Sequence, residues 1–305
     1  MAAITAKSVS ELREKTGCGM MDCKKALVAT DGDMEKAVEF LREKGLATAA
    51  KKAGRIASEG IVTVKICDEC GAGVVLEVNA ETDFVAKNAE FCAFVDSVAA
   101  VILKKAPADV EELLTLEIED GKTVDAALKE KIATIGENMN IRRFTRYEGN
   151  LIGYVHGGGR IGVMVKFNLG NDAVAKSDAF VEYGRNVAMQ IAAINPAYLD
   201  RASVPAEVIE KEKEILTAQA INEGKPAAIA EKMVAGRINK YYKENCLVEQ
   251  EYVKNPDQTI TTYTQEVAKN LDTTIEIASY VRLEKGEGLE KKEDNFADEV
   301  ASMVK

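Results

Sequence analysis

An internal repeat constrains the fold of this chain more than any other feature of its sequence. Residues 59–102 align with residues 148–191 at a constant offset of 89, without a gap, and 13 of the 44 positions are identical. Each copy contains an apolar strand pattern (residues 74–79 and 163–168), a polar turn and then a helical pattern. The repeat therefore predicts an α+β core made of two related subdomains.

The two copies differ at one large apolar position in the turn, where Phe84 of the first copy aligns with Ala173 of the second. The helix that follows in the first copy has one apolar stripe with helical spacing, formed by Phe91, Val95, Val98 and Ile102. Because turns lie at the surface, Phe84 either packs back on its own core, as a hydrophobic staple does, or projects outward to anchor a partner. Its absence from the second copy favours the anchor.

Composition limits the class of protein. A chain of 305 residues predicts two or three domains, and 47% hydrophobic with 30% charged residues is typical of a soluble globular protein. No apolar stretch approaches the ~18 residues of a membrane span, and the first residues lack a signal-peptide pattern, so we expect a cytoplasmic protein without a membrane partner. The net charge of -10 argues against direct binding of nucleic acid.

The six cysteines predict free thiols, because disulfides are rare in cytosolic proteins. Cys67 and Cys70 have a spacing that suits a metal site, a redox pair or a shared disulfide. A structural zinc site needs four ligands, however, and the other close pair is Cys18 and Cys23. We therefore favour reduced thiols in a turn and expect no metal site. His156, the single histidine, aligns with Cys67, which places both at hairpin tips.

Residues 1–52 have the pattern of three short helices. The first contains Val9 and Leu12, residues 16–21 form a glycine-rich turn, residues 22–30 form the second helix, and the third runs from residue 31 to Gly45. Such a module resembles ubiquitin-associated (UBA) domains, which bind protein surfaces. Met20 and Met21 suit adaptable apolar contacts, although they could also pack inside. Residues 49–55 are basic and have the composition of a linker.

The segment between the two copies predicts a helix over residues 126–135 and then a strand over residues 141–147. Strict alternation would place Ile141 and Phe144 on opposite faces of that strand. The glycine run after His156 predicts a hairpin tip, because a phosphate-binding loop needs a helix directly after its glycines and here a strand pattern follows.

Charged helices dominate the sequence after the second copy. Residues 205–223 and 227–245 predict an antiparallel helical hairpin, with apolar residues seven positions apart at Val208 and Ile215 and at Ile229 and Gly236. Two helices alone bury little apolar surface. We therefore expect the hairpin to dock on a second copy across a dimer or on another protein. A helix over residues 259–271, a strand over residues 275–283 and an amphipathic helix over residues 295–304 complete the pattern.

Catalysis is not expected from this composition. One histidine, no nucleophile elbow and no convergent acid and base groups leave little for an active site. The sequence therefore predicts a protein that is not an enzyme and has no cofactor.

Five motifs then carry a resemblance to the bacterial elongation factor Ts family. They are residues 20–27 (MMDCKKAL), residues 82–87 (TDFVAK), residues 135–138 with 141–143 (IGEN and IRR), residues 156–157 with 160–163 (HG and RIGV) and residues 230–234 (AEKMV). They lie in the family's order along essentially the whole chain. The stretch 249–257 matches no motif of the family.

The resemblance implies an α+β architecture in five parts. These are an N-terminal three-helix UBA-like module (1–52), a first core subdomain (56–140), a second core subdomain (141–200, continued at 247–286), an inserted helical hairpin (201–246) and a C-terminal helical module (287–305). Each of the two core subdomains is expected to hold a small antiparallel sheet.

The resemblance also implies a function, which is guanine nucleotide exchange on elongation factor Tu in translation elongation. Asp83 and Phe84, flanked by Thr82 and Val85, would intrude beside the nucleotide site of the partner and displace its Mg²⁺. The remaining implied contacts to elongation factor Tu are Met20, Met21, Lys24, Ile135, Gly136, His156 and the C-terminal helix. The alternative is an adaptor that binds a partner through residues 1–52 alone.

Overall fold

A computed structural model of the chain describes residues 4–119, 121–224 and 226–290. The helices are α1 (Ala6–Thr16), α2 (Met20–Ala29), α3 (Met34–Lys52), α4 (Asp83–Ala86), α5 (Ala89–Lys105), α6 (Val110–Thr115), α7 (Val124–Ile135), α8 (Asp178–Ile194), α9 (Ala206–Asn222), α10 (Ala227–Asn245) and α11 (Ile260–Asn270). The strands are β1 (Glu59–Cys67), β2 (Ala72–Ala80), β3 (Glu117–Glu119), β4 (Lys122–Thr123), β5 (Met139–Glu148), β6 (Asn150–His156), β7 (Ile161–Leu169), β8 (Glu251–Tyr252), β9 (Asn255–Thr259) and β10 (Ile275–Glu284). Across these ranges, no helix is long and apolar enough to cross a membrane.

The duplication in the sequence is a duplication in the structure. β1, β2 and β5 form one antiparallel sheet, and β6, β7 and β10 form a second sheet with the same strand order. β7 begins and ends 89 residues after β2, and α8 stands at the same offset from α5. The predicted α+β fold with small antiparallel sheets is therefore confirmed.

The two sheets pack face to face through an apolar layer that includes Val62, Val75, Met164 and Leu283. Gly162 lies so close to the opposite sheet that a Cβ atom there would come within 2.5 Å of Val62 Cγ1. The outer face of the first sheet is covered by α5, and that of the second by α8. The predicted stripe of α5 is confirmed, because Phe91, Val95, Val98 and Ile102 are all buried.

The predicted faces of β5 are wrong, although the strand itself is confirmed. Ile141 and Phe144 both contact the core beneath α5. The reason is a β-bulge, because Glu77 pairs with Arg143 whereas the next residue of β2, Val78, pairs with Ile141. One extra residue, Arg142, reverses the alternation of all that follow.

The third helix is longer than the sequence pattern suggests. It was expected to end at Gly45, with residues 49–55 as a linker, but α3 continues to Lys52. Its buried residues recur every fourth position, at Ala37, Leu41, Gly45 and Ala49. A Cβ at Gly45 would lie 3.2 Å from Ala133 of α7, so this glycine permits close helix packing and is not a stop signal.

The helical hairpin is confirmed, and of the four residues in its predicted apolar pattern Val208 packs against the cluster between the helices. Ile215 and Ile229 are exposed, and the helices meet through Ile209, Val234 and Ile238 instead. At its base the chain closes on itself, because the Tyr198 N–H donates to the Asn245 carbonyl (3.0 Å) and the Leu247 N–H donates to the Tyr198 carbonyl (2.9 Å). β8 and β9 occupy the stretch that matched no motif.

Cys67 and Cys70 form a disulfide, so the prediction of reduced thiols is wrong for this pair. The tight turn between β1 and β2 brings their Cα atoms to 5.3 Å, which is within the usual range for a disulfide. The other four cysteines are free. No group of three or more His, Cys, Asp or Glu side chains suited to a metal ion occurs in the described part of the chain.

The predicted helices over residues 126–135 and 259–271 and the predicted strand over residues 275–283 are confirmed by α7, α11 and β10. The predicted helix over residues 295–304 lies outside the described residues. The division into five parts and the likeness of the first three helices to a UBA module stay predictions.

Candidate partner-binding site

The turn after β2 places two neighbouring apolar side chains in opposite environments. Residues 83–86 form the single helical turn α4, with Thr82 at its N-cap position. Val85 is 6% exposed and belongs to the core beneath α5, whereas Phe84 is 80% exposed. Phe84 therefore projects outward, as the comparison of the two copies suggested, and Val85 anchors the turn beneath it.

Glu137 holds the start of this turn. The Thr82 N–H donates to one carboxylate oxygen of Glu137 (2.9 Å) and the Thr82 hydroxyl donates to the other (2.7 Å). The adjacent Asn138 N–H donates to the Glu81 carboxylate (2.6 Å). Three hydrogen bonds thus link Glu81 and Thr82 to Glu137 and Asn138. They fix the position from which Phe84 projects.

The same loop is tied to the N-terminal helices. Asn138 donates its side-chain N–H to the Arg55 carbonyl (2.8 Å), and Lys52 donates to the carbonyl of Gly136. Gly136 has a φ of 88°, in the left-handed region that ends many helices, and it closes α7. Ile135 and Gly136, two of the predicted contacts, therefore lie next to the residues that hold the 82–85 turn.

Asp83 carries a negative charge beside Phe84. Lys87, one helical turn later, forms an ion pair with it at 2.7 Å. The hydrogen bond and the positive charge of Lys87 hold the pKa of the Asp83 carboxyl below its ordinary value. The corresponding Asp172 of the second copy instead accepts a hydrogen bond from Asn150 (2.7 Å).

The second copy builds this turn differently. Residues Asp172–Lys176 form a 3-10 helix, and Ala173 takes the place of Phe84. Lys176 lies 3.6 Å from Asp68, at the tip of the β1–β2 hairpin. The second turn therefore contacts the other copy of the repeat and presents no large apolar side chain.

Met20 and Met21 form the first turn of α2, not part of the preceding loop as predicted. They are 57% and 62% exposed, and Lys24, one turn further, is exposed as well. Cys23, Ala26 and Leu27 fill the buried side of the same helix. The methionines are therefore not packed inside and stand free on the surface.

The N-terminal loop before Met20 contacts the end of α7. A Cβ at Gly17 would lie 3.5 Å from Thr134, the residue before Ile135. The structure thus brings the loop before Met20 to the end of α7, which in turn leads to Glu137. The loop that leads to Met20 and Met21 therefore lies beside the residue that precedes Ile135 and Gly136.

His156 belongs to a different place, the tip of the β6–β7 hairpin. Its Nδ1 lies 2.9 Å from the Tyr154 hydroxyl, with which it shares a hydrogen bond. The tip rests on β1, because the Val62 N–H donates to the Gly159 carbonyl (2.8 Å). Among the described residues, no hydrogen bond or ion pair joins His156 to another predicted site residue.

Sequence reasoning missed the residues that support the turn. Glu137 and Asn138 were recognised within a motif, but no role followed from it, and Glu81 and Arg55 were not singled out. The available signal was a run of polar residues directly after the predicted helix 126–135. It could not identify a partner that lies 55 positions earlier in the chain.

Comparison with known proteins gives one consistent family. A family model described as elongation factor TS matches residues 81–287. An elongation factor Ts of Clostridium perfringens (strain SM101 / Type A) is 54% identical over 303 residues, which covers 98% of this chain and 99% of the relative. One of Clostridium novyi (strain NT) is 54% identical over 306 residues, with 99% of each chain covered. One of Clostridium botulinum (strain Eklund 17B / Type B) is 52% identical over 304 residues, again with 99% of each covered.

Proposed function

Because this chain belongs to the elongation factor Ts family of translation elongation factors, we propose that it is a guanine nucleotide exchange factor for elongation factor Tu in the cytoplasm. It binds elongation factor Tu with GDP and promotes the replacement of GDP by GTP. The observation that carries this proposal is Phe84, an 80% exposed aromatic side chain on a turn that is fixed on both sides.

Exchange follows from the linkage of two binding equilibria. A protein that binds nucleotide-free elongation factor Tu more tightly than the GDP-bound form must weaken GDP binding by the same factor. Part of the free energy of binding to elongation factor Tu must therefore come from contacts that cannot form fully while GDP is bound. A rigid turn suits this task, because a flexible one would yield before it displaced the partner's groups.

The 82–85 turn has the chemistry to act beside a magnesium site. Phe84 supplies an apolar side chain that gains free energy by entering a cleft of the partner. Asp83 brings a carboxylate that Lys87 keeps charged, and it is available for a hydrogen bond or for competition with the ligands of Mg²⁺. Loss of Mg²⁺ removes one of the strongest links that hold a diphosphate, so GDP leaves faster.

The remaining predicted contacts would hold the partner in place during this step. Met20, Met21 and Lys24 offer two exposed apolar side chains and a cation on one helix, which suits the grip on the nucleotide domain. Ile135 and Gly136 extend this region towards Glu137. His156, at the separate hairpin tip, would contact a more distant domain of elongation factor Tu.

The hairpin of α9 and α10 is proposed as an assembly surface, in a homodimer or with another protein. Three isoleucines on it are 45% to 60% exposed, at Ile215, Ile221 and Ile229. Sedimentation of the protein with and without Ile221→Asp distinguishes the two cases. A dimer that dissociates in the variant identifies a second copy as the occupant, whereas a monomer in both excludes it.

The decisive experiment is the release of a fluorescent GDP analogue from elongation factor Tu at several magnesium concentrations. The parent is compared with Phe84→Ala and with Ile194→Ala, a control that removes an exposed apolar side chain at the end of α8, outside the predicted partner contacts. We expect acceleration by the parent and the control, and much less by Phe84→Ala, above all at high magnesium.

Each other outcome has a definite meaning. No acceleration by the parent would overturn the exchange function. Equal acceleration by the parent and Phe84→Ala would move the mechanism to the other contacts. Binding through residues 1–52 that ignores both the nucleotide and Phe84 would favour the adaptor.

A further inference from the structure

An open groove lies beside the end of the described chain. It has a volume of about 870 Å³ and is walled by α3, α7, the start of β5 and the segment between α3 and β1. Its apolar surface includes Leu46, Ile56, Leu128 and Ile132. Leu46 and Ile56 are 44% and 43% exposed, which is high for large aliphatic side chains that lie close together.

The described part of the chain ends at the wall of this groove. After β10 the Gly286 N–H donates to the buried carboxylate of Glu77 (2.8 Å), and Arg142 donates to the Glu287 carbonyl (2.5 Å). The last described residues, Gly288, Leu289 and Glu290, are themselves part of the groove wall. Residue 291 therefore starts at the groove.

The next fifteen residues, 291–305, have a composition that fits an apolar groove. They read KKEDNFADEVASMVK, with Phe296, Val300, Met303 and Val304 at helical spacing i, i+4, i+7 and i+8. Five residues, 291–295, span at most roughly 17 Å when extended, and they follow directly on residue 290 of the groove wall, so Phe296 lies within that distance of the wall. The groove wall carries two cations, Arg55 and Lys129, which pair with Glu81 (3.5 Å) and Asp125 (2.6 Å), so the apolar residues of the segment are the ones that fit the groove.

We propose that residues 291–305 bind in this groove of their own chain when elongation factor Tu is absent, with Phe296 against Leu46 and Ile56. The inference concerns the partner-free protein and does not depend on the exchange function. The binding is intramolecular, so its effective concentration is high and modest contacts are sufficient.

Binding of the segment in the groove would also affect the support of the 82–85 turn. Asn138 and Arg55 line the groove, and both hydrogen-bond to Glu81, the residue before Thr82. A segment that packs on them would stiffen the support of the turn. Withdrawal of the segment would expose apolar surface directly beside the predicted partner contacts.

The absence of tryptophan from the chain allows a clean test. Phe296→Trp in the full-length protein introduces a single reporter in the segment. Its emission wavelength and its acrylamide quenching are measured in three backgrounds: the parent groove, Leu46→Glu and Ile56→Glu. Ile194→Glu, at the end of α8, is the matched control because Ile194 is 46% exposed and does not line the groove. Circular dichroism checks that each variant folds.

We expect blue-shifted emission with slow quenching in the parent groove and in the control. Either groove variant should shift the emission to the red and raise the quenching constant several-fold. A tryptophan that is equally solvent-exposed in all four proteins overturns the proposal. A blue shift that depends on protein concentration identifies a second copy as the occupant, and burial only upon addition of elongation factor Tu identifies the partner. Both results also overturn it.

Discussion

Glu137 uses both of its carboxylate oxygens on Thr82, one on the backbone N–H and one on the hydroxyl. The two residues are far apart in the sequence, yet this contact sets the direction in which the next two side chains point. The exposed Phe84 is therefore held through a residue that need not touch the partner.

Loss of Glu137 should uncouple this support. For Glu137→Ala we expect a several-fold slower release of GDP from elongation factor Tu, and a free energy of unfolding lower by roughly 1 to 3 kcal/mol, since hydrogen bonds to a charged group are lost. Stopped-flow release and urea unfolding measure the two effects. Glu130→Ala, which removes an exposed carboxylate of α7 that pairs with Lys122, should leave the rate unchanged. If Glu137→Ala released GDP at the rate of the parent, Glu137 would contribute to stability alone and not to exchange.

The buried Glu77 predicts a specific dependence of stability on pH. Burial raises its pKa, but the Gly286 N–H, Arg143 and Asn79 outweigh this effect and hold the pKa below the ordinary value of 4.5. A carboxyl with a lowered folded pKa stabilises the fold above its unfolded pKa, and this contribution is lost as the pH falls through the folded pKa.

Glu77→Gln should therefore cost most at neutral pH, roughly 3 to 5 kcal/mol, because it leaves the charges of Arg142 and Arg143 without their buried partner. The difference from the parent should shrink as the pH falls below 4.5. Urea unfolding at pH 7, 5 and 3.5 measures it, with Glu148→Gln at an exposed ion pair as the control. A difference that is constant across this range would contradict the assignment.

Two glycines should respond to alanine with opposite signs. At Gly162 a Cβ would meet Val62 at 2.5 Å, so Gly162→Ala forces the sheets apart and should lower the free energy of unfolding by roughly 1 to 3 kcal/mol. Gly236 lies within α10 with no atom within 4 Å of a Cβ, so Gly236→Ala should raise it by up to about 1 kcal/mol. Thermal unfolding compares them. A neutral Gly162→Ala would mean that the two sheets are less tightly packed.

The disulfide predicts a thiol count. Protein purified without reductant and then denatured should react at four thiols, and at all six after reduction. The double variant Cys67→Ser/Cys70→Ser should react at four thiols in both conditions. Six reactive thiols in the untreated protein would show that the pair is reduced.

Much of this structure could be predicted from the sequence, because the two copies of the repeat align without a gap. The strands, the helix after each turn and the outward position of Phe84 all follow from comparison of the two copies. The bulge at Arg142 does not, since alternation is a local pattern and the extra residue is fixed by Glu77 on another strand.

The same limit applies to the candidate site. Gly45 has the local pattern of a helix end, but its role is a close contact with Ala133 of a helix much later in the chain. The pairing of Thr82 with Glu137 likewise joins distant positions. Periodicity reports which face of an element is apolar, and it carries no information on which distant element will meet that face.

Because the chain closes on itself at Tyr198, the helical hairpin of α9 and α10 is an insertion that begins and ends at nearly the same place. The polypeptide passes Tyr198 shortly after the end of α8, and it returns at Asn245 and Leu247, which are both hydrogen-bonded to Tyr198. A short linker across this gap would leave α8 and α11 in place. A change in the length of this helical pair would therefore leave the turn that carries Phe84 in place.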